Sequence, residues 1–247
     1  MKQSYILKSS TLEKMGIKRS KNVLIPSIFK DKEYEKEYVI ESIGESCFSG
    51  WHGLESIFLP STINFIGVNA FAFCSELKTI NFPNSLDTID LCAFNYCSNL
   101  SKVKLPKKMN EIGNFAFSGC SELKTIIMPT DCEEVGEGVF SGCSVLESIS
   151  LPENMTALRT HTIHKCIHLR RLDLPENLST MKKECICDCE NLKMLVLPDN
   201  IKFIEEGAIT NCEGLEWVLW RECTFNTPEE LNNAITDSGF PTQEAWK

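Results

Sequence analysis

The chain has 247 residues, with 25 Lys and Arg against 34 Asp and Glu, a formal net charge of −9 and a hydrophobic content of 43%. That acidity argues against general nucleic-acid binding, which needs a basic footprint. The longest apolar run near the start, Val23-Leu24-Ile25, is too short for a signal-peptide core or a spanning helix, so no membrane insertion is expected. The expected location is the cytoplasm, or the cell surface or extracellular space if an export signal has been removed.

Seven prolines, Pro60, Pro83, Pro106, Pro129, Pro152, Pro175 and Pro198, stand 23 residues apart without one insertion. A fixed period in the twenties marks a solenoid, in which each coil buries its apolar face only by stacking on its neighbours. Eight periods occupy residues 38–221, with 1–37 as an N-terminal cap and 222–247 as a C-terminal helical cap. In the first cap, Asn22-Val-Leu-Ile-Pro26 copies the strand-plus-proline end of the repeat and reads as a partial coil. Phe29 to Tyr38 alternates charge and tyrosine, which suits an exposed β-hairpin covering the first coil. Its charges would also blunt an open edge.

Counting each coil from Tyr38 as position 1, positions 3, 6, 10, 11, 14, 17, 20 and 22 are mostly apolar, and position 17 is leucine in all eight coils. Alternation at 20 and 22 marks a short strand with 19 and 21 facing outward. Proline at 23 has no N–H for the ladder and stops that strand. The pair at 3 and 6 reads as a second extended stretch on another face. Glycine at 7 (Gly44, Gly67, Gly113, Gly136) is expected to turn the backbone, and the Ala-Phe pairs at 10–11 suit a turn of helix over 8–13. Position 14 carries Cys74, Cys97, Cys120, Cys143, Cys166, Cys189 and Cys212. They read as a structural ladder of buried thiols, because equivalent side chains along a parallel ladder point the same way and pack rather than bond.

The last three coils drift. Ile163, Ile186 and Ile209 replace phenylalanine at position 11, and Arg159, Lys182 and Glu205 replace glycine at 7. Arg221 stands where an eighth proline is due, so the chain leaves the stack there. Thr227-Pro-Glu-Glu230 is a helix start, with threonine as N-cap, proline at N1 and glutamate at N3. A short helix near 228–236, with Leu231, Ala234 and Ile235 on one face, is expected to close the lower end before Gly239 stops it.

The unit Ile-Gly-x-x-Ala-Phe-x-x-Cys-x-x-Leu-x-x-Ile-x-Leu-Pro, written almost in full from Ile112 to Pro129, resembles the BspA-type leucine-rich repeat of bacterial surface and secreted proteins and of some protists. The resemblance covers about three-quarters of the chain. It implies a leucine-rich-repeat solenoid of eight stacked coils with a short parallel β-sheet on one face, mainly β and loop, with little regular helix. It also implies non-enzymatic protein–protein contact and adhesion to host surfaces, with no catalytic residue to carry over.

Outward positions 18, 19 and 21 hold Lys78, Lys102, Lys104, Lys124, Arg170, Arg171 and Lys193 against Glu55, Glu147, Asp173 and Glu216, which is 7 − 4 = +3 on this face and −12 elsewhere. Such segregation steers an acidic partner; the plainer alternative is a solvated strand face whose lysines discourage edge pairing. Lower on the same face, Met194, Val196, Trp217 and Leu219 are either a contact site or a surface covered by the C-terminal helix or Trp246. The partner-binding residues read from the sequence are Lys78, Lys102, Lys104, Lys124, Arg171, Met194 and Trp217.

Coils 6 and 7 gather metal-ligand types, His161, His164 and Cys187, the last two at position 12 of successive coils. Cys166 and Cys189 nevertheless belong to the buried ladder, Cys185 takes alanine's place, and the family pattern has no metal there, so neither metal nor cofactor is expected. There is no Gly-rich phosphate loop ending in Lys-Ser/Thr, no Gly-x-Ser-x-Gly and no His-Glu-x-x-His. Asn99, Asn154 and Asn177 open glycosylation triplets, which matter only on a eukaryotic secretory route. The expected function is a monomeric, non-enzymatic module offering its strand face to a protein or glycan partner. A structural spacer within a larger surface assembly is the alternative, and a metal- or redox-responsive protein using coils 6 and 7 is the third reading.

Overall fold

The structure, a computed structural model, describes residues 3–221 and 223–225, so the helix expected near 228–236 and Trp246 lie outside the described residues. Successive laps of 23 residues lie on one another in strict register. At positions 5–6, Ile43 pairs with Ile66, Ile66 with Ile89, Ile89 with Ile112 and Ile112 with Val135. A second ladder runs through positions 19–21, where Ile57 faces Ile80 and Val103 faces Ile126. Because side chains alternate across a strand, a slip of one residue would turn every buried column outward. The leucines at position 17 from Leu54 to Leu192 are fully buried, one above another.

The core of coils 1–5 is a pile of phenyl rings. Phe48, Phe71, Phe94, Phe117 and Phe140 stack with centroids 5.0, 5.1, 5.4 and 6.3 Å apart and planes within 2–5° of parallel. Trp51 continues the pile above Phe48 at 5.4 Å. Beside the rings, each ladder thiol donates to the carbonyl of position 11 in the coil before: Cys74 Sγ to Phe48 O at 3.1 Å, Cys120 Sγ to Phe94 O at 3.4 Å, Cys189 Sγ to Ile163 O at 3.4 Å. A small side chain with a weak donor fits that slot, which accounts for cysteine at position 14. All 13 cysteines are free thiols.

Positions 8–13 do not form the expected turn of helix. Every coil instead bends twice through a left-handed residue, at position 9 (from Ser46, φ 51°, to Gly207, φ 68°) and at position 13 (from Gly50, φ 66°, to Asn211, φ 52°). Between the bends in coils 1–5 the N–H groups of positions 9, 11 and 13 donate to the next coil, as in Ser46 N to Val68 O (2.9 Å), Phe48 N to Ala70 O (2.8 Å) and Gly50 N to Ala72 O (2.8 Å). A helical turn would satisfy those groups within the coil; here they build a third ladder between coils. In coils 6–8 it becomes regular strand, Ile163–His164, Ile186–Cys187 and Ile209–Thr210.

The glycines at position 7 do not turn the chain either. None of Gly44, Gly67, Gly113 and Gly136 is left-handed. A Cβ on Gly113 would fall 2.7 Å from Asp90 C and Leu91 N, and one on Gly136 would fall 2.5 Å from Asn114 N. Glycine lets successive backbones approach closely at this corner. Where Arg159 and Lys182 stand instead, each reaches a carboxylate one coil away, Glu134 at 2.7 Å and Glu205 at 2.8 Å.

Strand β1 (Gln3–Leu7), helix α1 (Ser9–Lys14) and strand β2 (Asn22–Leu24) precede the first coil. Strands β3 (Ile28–Asp31) and β4 (Lys36–Ile43) form an antiparallel hairpin. The lap lying on coil 1 is built from β1, which pairs parallel with β4, and β2, which pairs parallel with Ser56–Phe58. The hairpin projects beside that lap, its root packed by Tyr5, Phe29 and Tyr38. At the lower end Arg221 is left-handed (φ 49°) and Cys223–Phe225 folds back antiparallel along Trp217–Trp220, closing the strand edge.

Two ladders stop between coils 5 and 6. The position 5–6 sheet ends at Glu134–Val135 and resumes with Ala157–Leu158, and the position 19–21 sheet breaks after Ser148–Ser150. The third ladder crosses the gap through Gly138 N to Thr160 O (3.0 Å) and Gly142 N to His164 O (2.7 Å). No helix among the described residues is long and apolar enough to cross a membrane.

Candidate functional site

The strand face is written by positions 18, 19 and 21 around the buried column at 20. It consists of three hydrogen-bonded blocks, coils 1–2 with β2, coils 3–5, and coils 6–8 with the C-terminal strand. In the upper block Lys78 Nζ lies 3.0 Å from Glu55, which also holds Lys21 Nζ at 2.6 Å. Those two ammonium groups keep the Glu55 carboxyl below the usual carboxylate range. In the lower block Arg171 Nε donates to both oxygens of Asp173 at 2.8 and 3.1 Å, and its Nη1 reaches Met194 Sδ at 3.3 Å. Met194 is the in-register neighbour of Trp217, which stays 44% exposed.

The middle block differs. Lys102 and Lys104 flank buried Val103, and the pairing sets Lys104 beside Ile127 and Lys102 beside Thr125. Ile127 is 74% exposed. Of the cations on this face, Lys102, Lys104 and Lys124 of coils 3 and 4 and Arg170 of coil 6 form no ion pair among the described residues, and Glu147, whose N–H donates to Lys124 O at 2.8 Å, borders the lysines in coil 5. Three exposed apolar groups at position 21, Leu24, Phe58 and Ile127, belong to the face beyond the residues named from the sequence; an apolar residue at an outward strand position is the signal that marks them.

A polar cluster lies on the third ladder of coils 5–8. Ser141 Oγ is 2.7 Å from His164 Nδ1, His164 Nε2 is 3.0 Å from Asp188 Oδ2, and Asn211 Nδ2 donates to Asp188 Oδ1 at 2.8 Å. His164 and Cys187 are in-register partners of adjacent strands, and Asp188 follows at the left-handed position (φ 53°). His164, Cys187 and Asp188 each offer one ligand atom, and these lie within 4.8 Å of one another. His161 is not in that set; its Nε2 is 2.9 Å from Glu184 Oε2, although its ring centroid is 5.0 Å from that of His164. Burial lowers the His164 pKa against the raising bond to Asp188. The Asn211 amide leads in holding the Asp188 carboxyl down, and burial pushes the Cys187 thiol up to about 12.

The sequence pattern of a BspA type Leucine rich repeat region matches in six copies, over residues 32–144 and 121–226. The chain belongs to the BspA-type leucine-rich repeat family. This BspA-type chain is similar to a leucine-rich repeat protein from Bacteroides ovatus, at 27% identity and a TM-score of 0.64 over 81% of its own length. It spans 63% of the length of that Bacteroides ovatus chain. Two further solved structures share the fold: the T. pallidum Leucine Rich Repeat protein (22% identity, TM-score 0.59, 94% of this chain and 89% of that one) and the pneumococcal vaccine antigen PcpA (17%, 0.50, 82% and 78%). No curated protein sequence matches the chain. Leucine-rich repeat solenoids of this family are typically recognition modules rather than catalysts.

Of the strand-face residues named from sequence, the BspA-type stack brings Lys102, Lys104 and Lys124 together, and separately Arg171, Met194 and Trp217. Lys78 belongs with the upper block. Among the metal-ligand types, it joins His164 to Cys187, adds Asp188, and turns His161 to Glu184.

Proposed function

We propose that the chain is a non-enzymatic recognition module that receives an acidic protein partner on the strand face of coils 3 and 4, in the setting of surface adhesion or host interaction that the family suggests. The observation that carries this reading is Ile127, 74% exposed beside Lys104 in a patch where Lys102, Lys104 and Lys124 have no ion pair among the described residues. An aliphatic anchor with uncommitted lysines on its coil 3 side and serines on its coil 5 side fits an apolar contact flanked by carboxylates, with the charges steering encounter. The test is an array of extracellular proteins and glycans probed side by side with the parent chain, with Lys102→Glu/Lys104→Glu/Lys124→Glu and with Ile127→Asp. Acidic proteins that bind the parent should lose at least tenfold in affinity in both variants, with a steep salt dependence in the parent. A glycan as the bound class would replace the protein partner. Equal binding by all three chains would overturn the coils 3 and 4 surface, and none by any would favour the structural spacer. That second reading draws support from Lys78, Arg171 and Lys193, whose charges are spent on Glu55, Asp173 and Glu216 within the molecule.

A further inference from the structure

The cluster on the third ladder lies outside the strand face, and its side chains are arranged as a coordination site arranges them. We propose that His164 Nε2, Cys187 Sγ and Asp188 Oδ2 bind one zinc-class divalent cation, with the remaining position open to water.

The three ligand atoms come from adjacent coils and lie within 4.8 Å of one another. Tetrahedral zinc with bonds of 2.0–2.3 Å needs its ligand atoms about 3.5 Å apart, a spacing that small side-chain rotations supply here. The backbone already sets the donors. His164 and Cys187 are paired residues of neighbouring strands, so their side chains leave the ladder side by side. The left-handed turn at Asp188 (φ 53°) lets two consecutive residues, thiol and carboxylate, face the same point.

Each exposed ligand is also held from behind. Ser141 Oγ engages His164 Nδ1 at 2.7 Å, which orients the ring so that Nε2 faces Asp188. Asn211 Nδ2 holds Asp188 Oδ1 at 2.8 Å and leaves Oδ2 turned inward. Partners on the non-ligating atoms are what hold imidazole and carboxylate ligands in metal centres. Cys187 is 4% exposed and forms the floor, while the side chains of His164 and Asp188 are 20% and 33% exposed, giving a cation one open side of approach. A thiol and an imidazole with a single carboxylate suit zinc and exclude calcium and magnesium, which take oxygen shells. The repeat pattern places no metal here; Asp188 as a third donor, with Ser141 and Asn211 behind the ligands, is particular to these coils. Binding would release the Cys187 proton to solvent and tie coil 6 to coil 7, directly below the gap between coils 5 and 6.

The experiment titrates cobalt(II), then zinc, into the reduced, chelator-stripped full chain, reading bound metal by equilibrium dialysis and the thiolate-to-cobalt absorption band. One equivalent of cobalt with that band, displaced by one equivalent of zinc, is expected. His164→Gln, Asp188→Asn and Cys187→Ser should each weaken binding at least tenfold, and the band should vanish in Cys187→Ser. The two exposed ligands keep the test valid should the buried Cys187→Ser variant misfold, and circular dichroism of each metal-free variant checks the fold. Cys223→Ser and His168→Gln, which alter the exposed thiol and a histidine bonded to Ser144 O, should leave binding unchanged. No stoichiometric binding, binding that survives all three ligand variants, or binding abolished by Cys223→Ser would overturn the proposal.

Discussion

Coils 1–5 and coils 6–8 follow one 23-residue pattern, yet they hold together differently. Above the gap the cohesion is aromatic: five phenyl rings stacked within 2–5° of parallel, and glycine at position 7 in four coils of the five so that backbones touch. Below it isoleucine replaces the ring, position 7 carries Arg159, Lys182 or Glu205, and the outer face of the third ladder is joined by polar side chains from His164 to Asn211. The phenyl spacing widens from 5.0 to 6.3 Å on approaching the gap. A repeat tolerates such a change of cohesion because each coil answers only to its neighbours. The two blocks should therefore fail under different insults.

The largest expected effect is alkaline unfolding. Burial pushes the thiols of Cys74, Cys143 and Cys187 from 9.0 up to about 12. Their folded pKa values are raised, so the stability they contribute is whole below about pH 9 and is lost as the pH climbs toward 12. Coil 7 alone holds three cysteines, Cys185, Cys187 and Cys189, all raised. The lower block should give way first. In a Trp51→Phe variant the remaining tryptophans belong to coil 8 and the segment after it. Their fluorescence should change at lower pH than the circular dichroism of the whole chain; coincident curves would break the distinction between blocks.

Next is the ring pile itself. Phe117→Ala should cost about 4 kcal/mol and Ile186→Ala, at the same position in coil 7, about 3 kcal/mol, because the phenyl ring also loses two stacked neighbours. Urea denaturation of both variants measures the difference, and equal losses would remove aromatic stacking from the account. A smaller effect tests the close corner. Gly113→Ala should cost about 1–3 kcal/mol, since its Cβ would meet the backbone of Asp90 and Leu91. An alanine variant as stable as the parent would show that the upper coils can spread as the lower ones do. The smallest is Lys182→Ala, whose ion pair with Glu205 is exposed; a change within about 0.5 kcal/mol is expected by the same denaturation.

Much of this was legible in residues 38–221. A column such as Leu77, Leu100 and Leu123 follows from the sequence, because a fixed 23-residue period leaves equivalent side chains nowhere to go but above one another. The strand at positions 19–21 followed from alternation and proline for the same reason. Two local readings went astray where residue type did not show its cause. Phe73, Tyr96 and Phe115 occupy left-handed bends, a conformation bulky residues avoid and which no propensity signals. Gly113 resembled a turn residue, yet it is small to make room for the coil before it. β1 and α1 carry too little of the repeat to be recognised as part of a lap.

What the sequence determined alone, then, was the unit, its register and the list of columns, since these depend on spacing along the chain. The tertiary structure decided which equivalent positions become active neighbours. It left Lys102, Lys104 and Lys124 uncommitted while Lys78 and Arg171 found carboxylates. It also parted His161 from His164 and brought Asp188 to Cys187 and His164. Those outcomes turn on side-chain reach and bend direction across coils, where ångström differences between one lap and the next choose the partner.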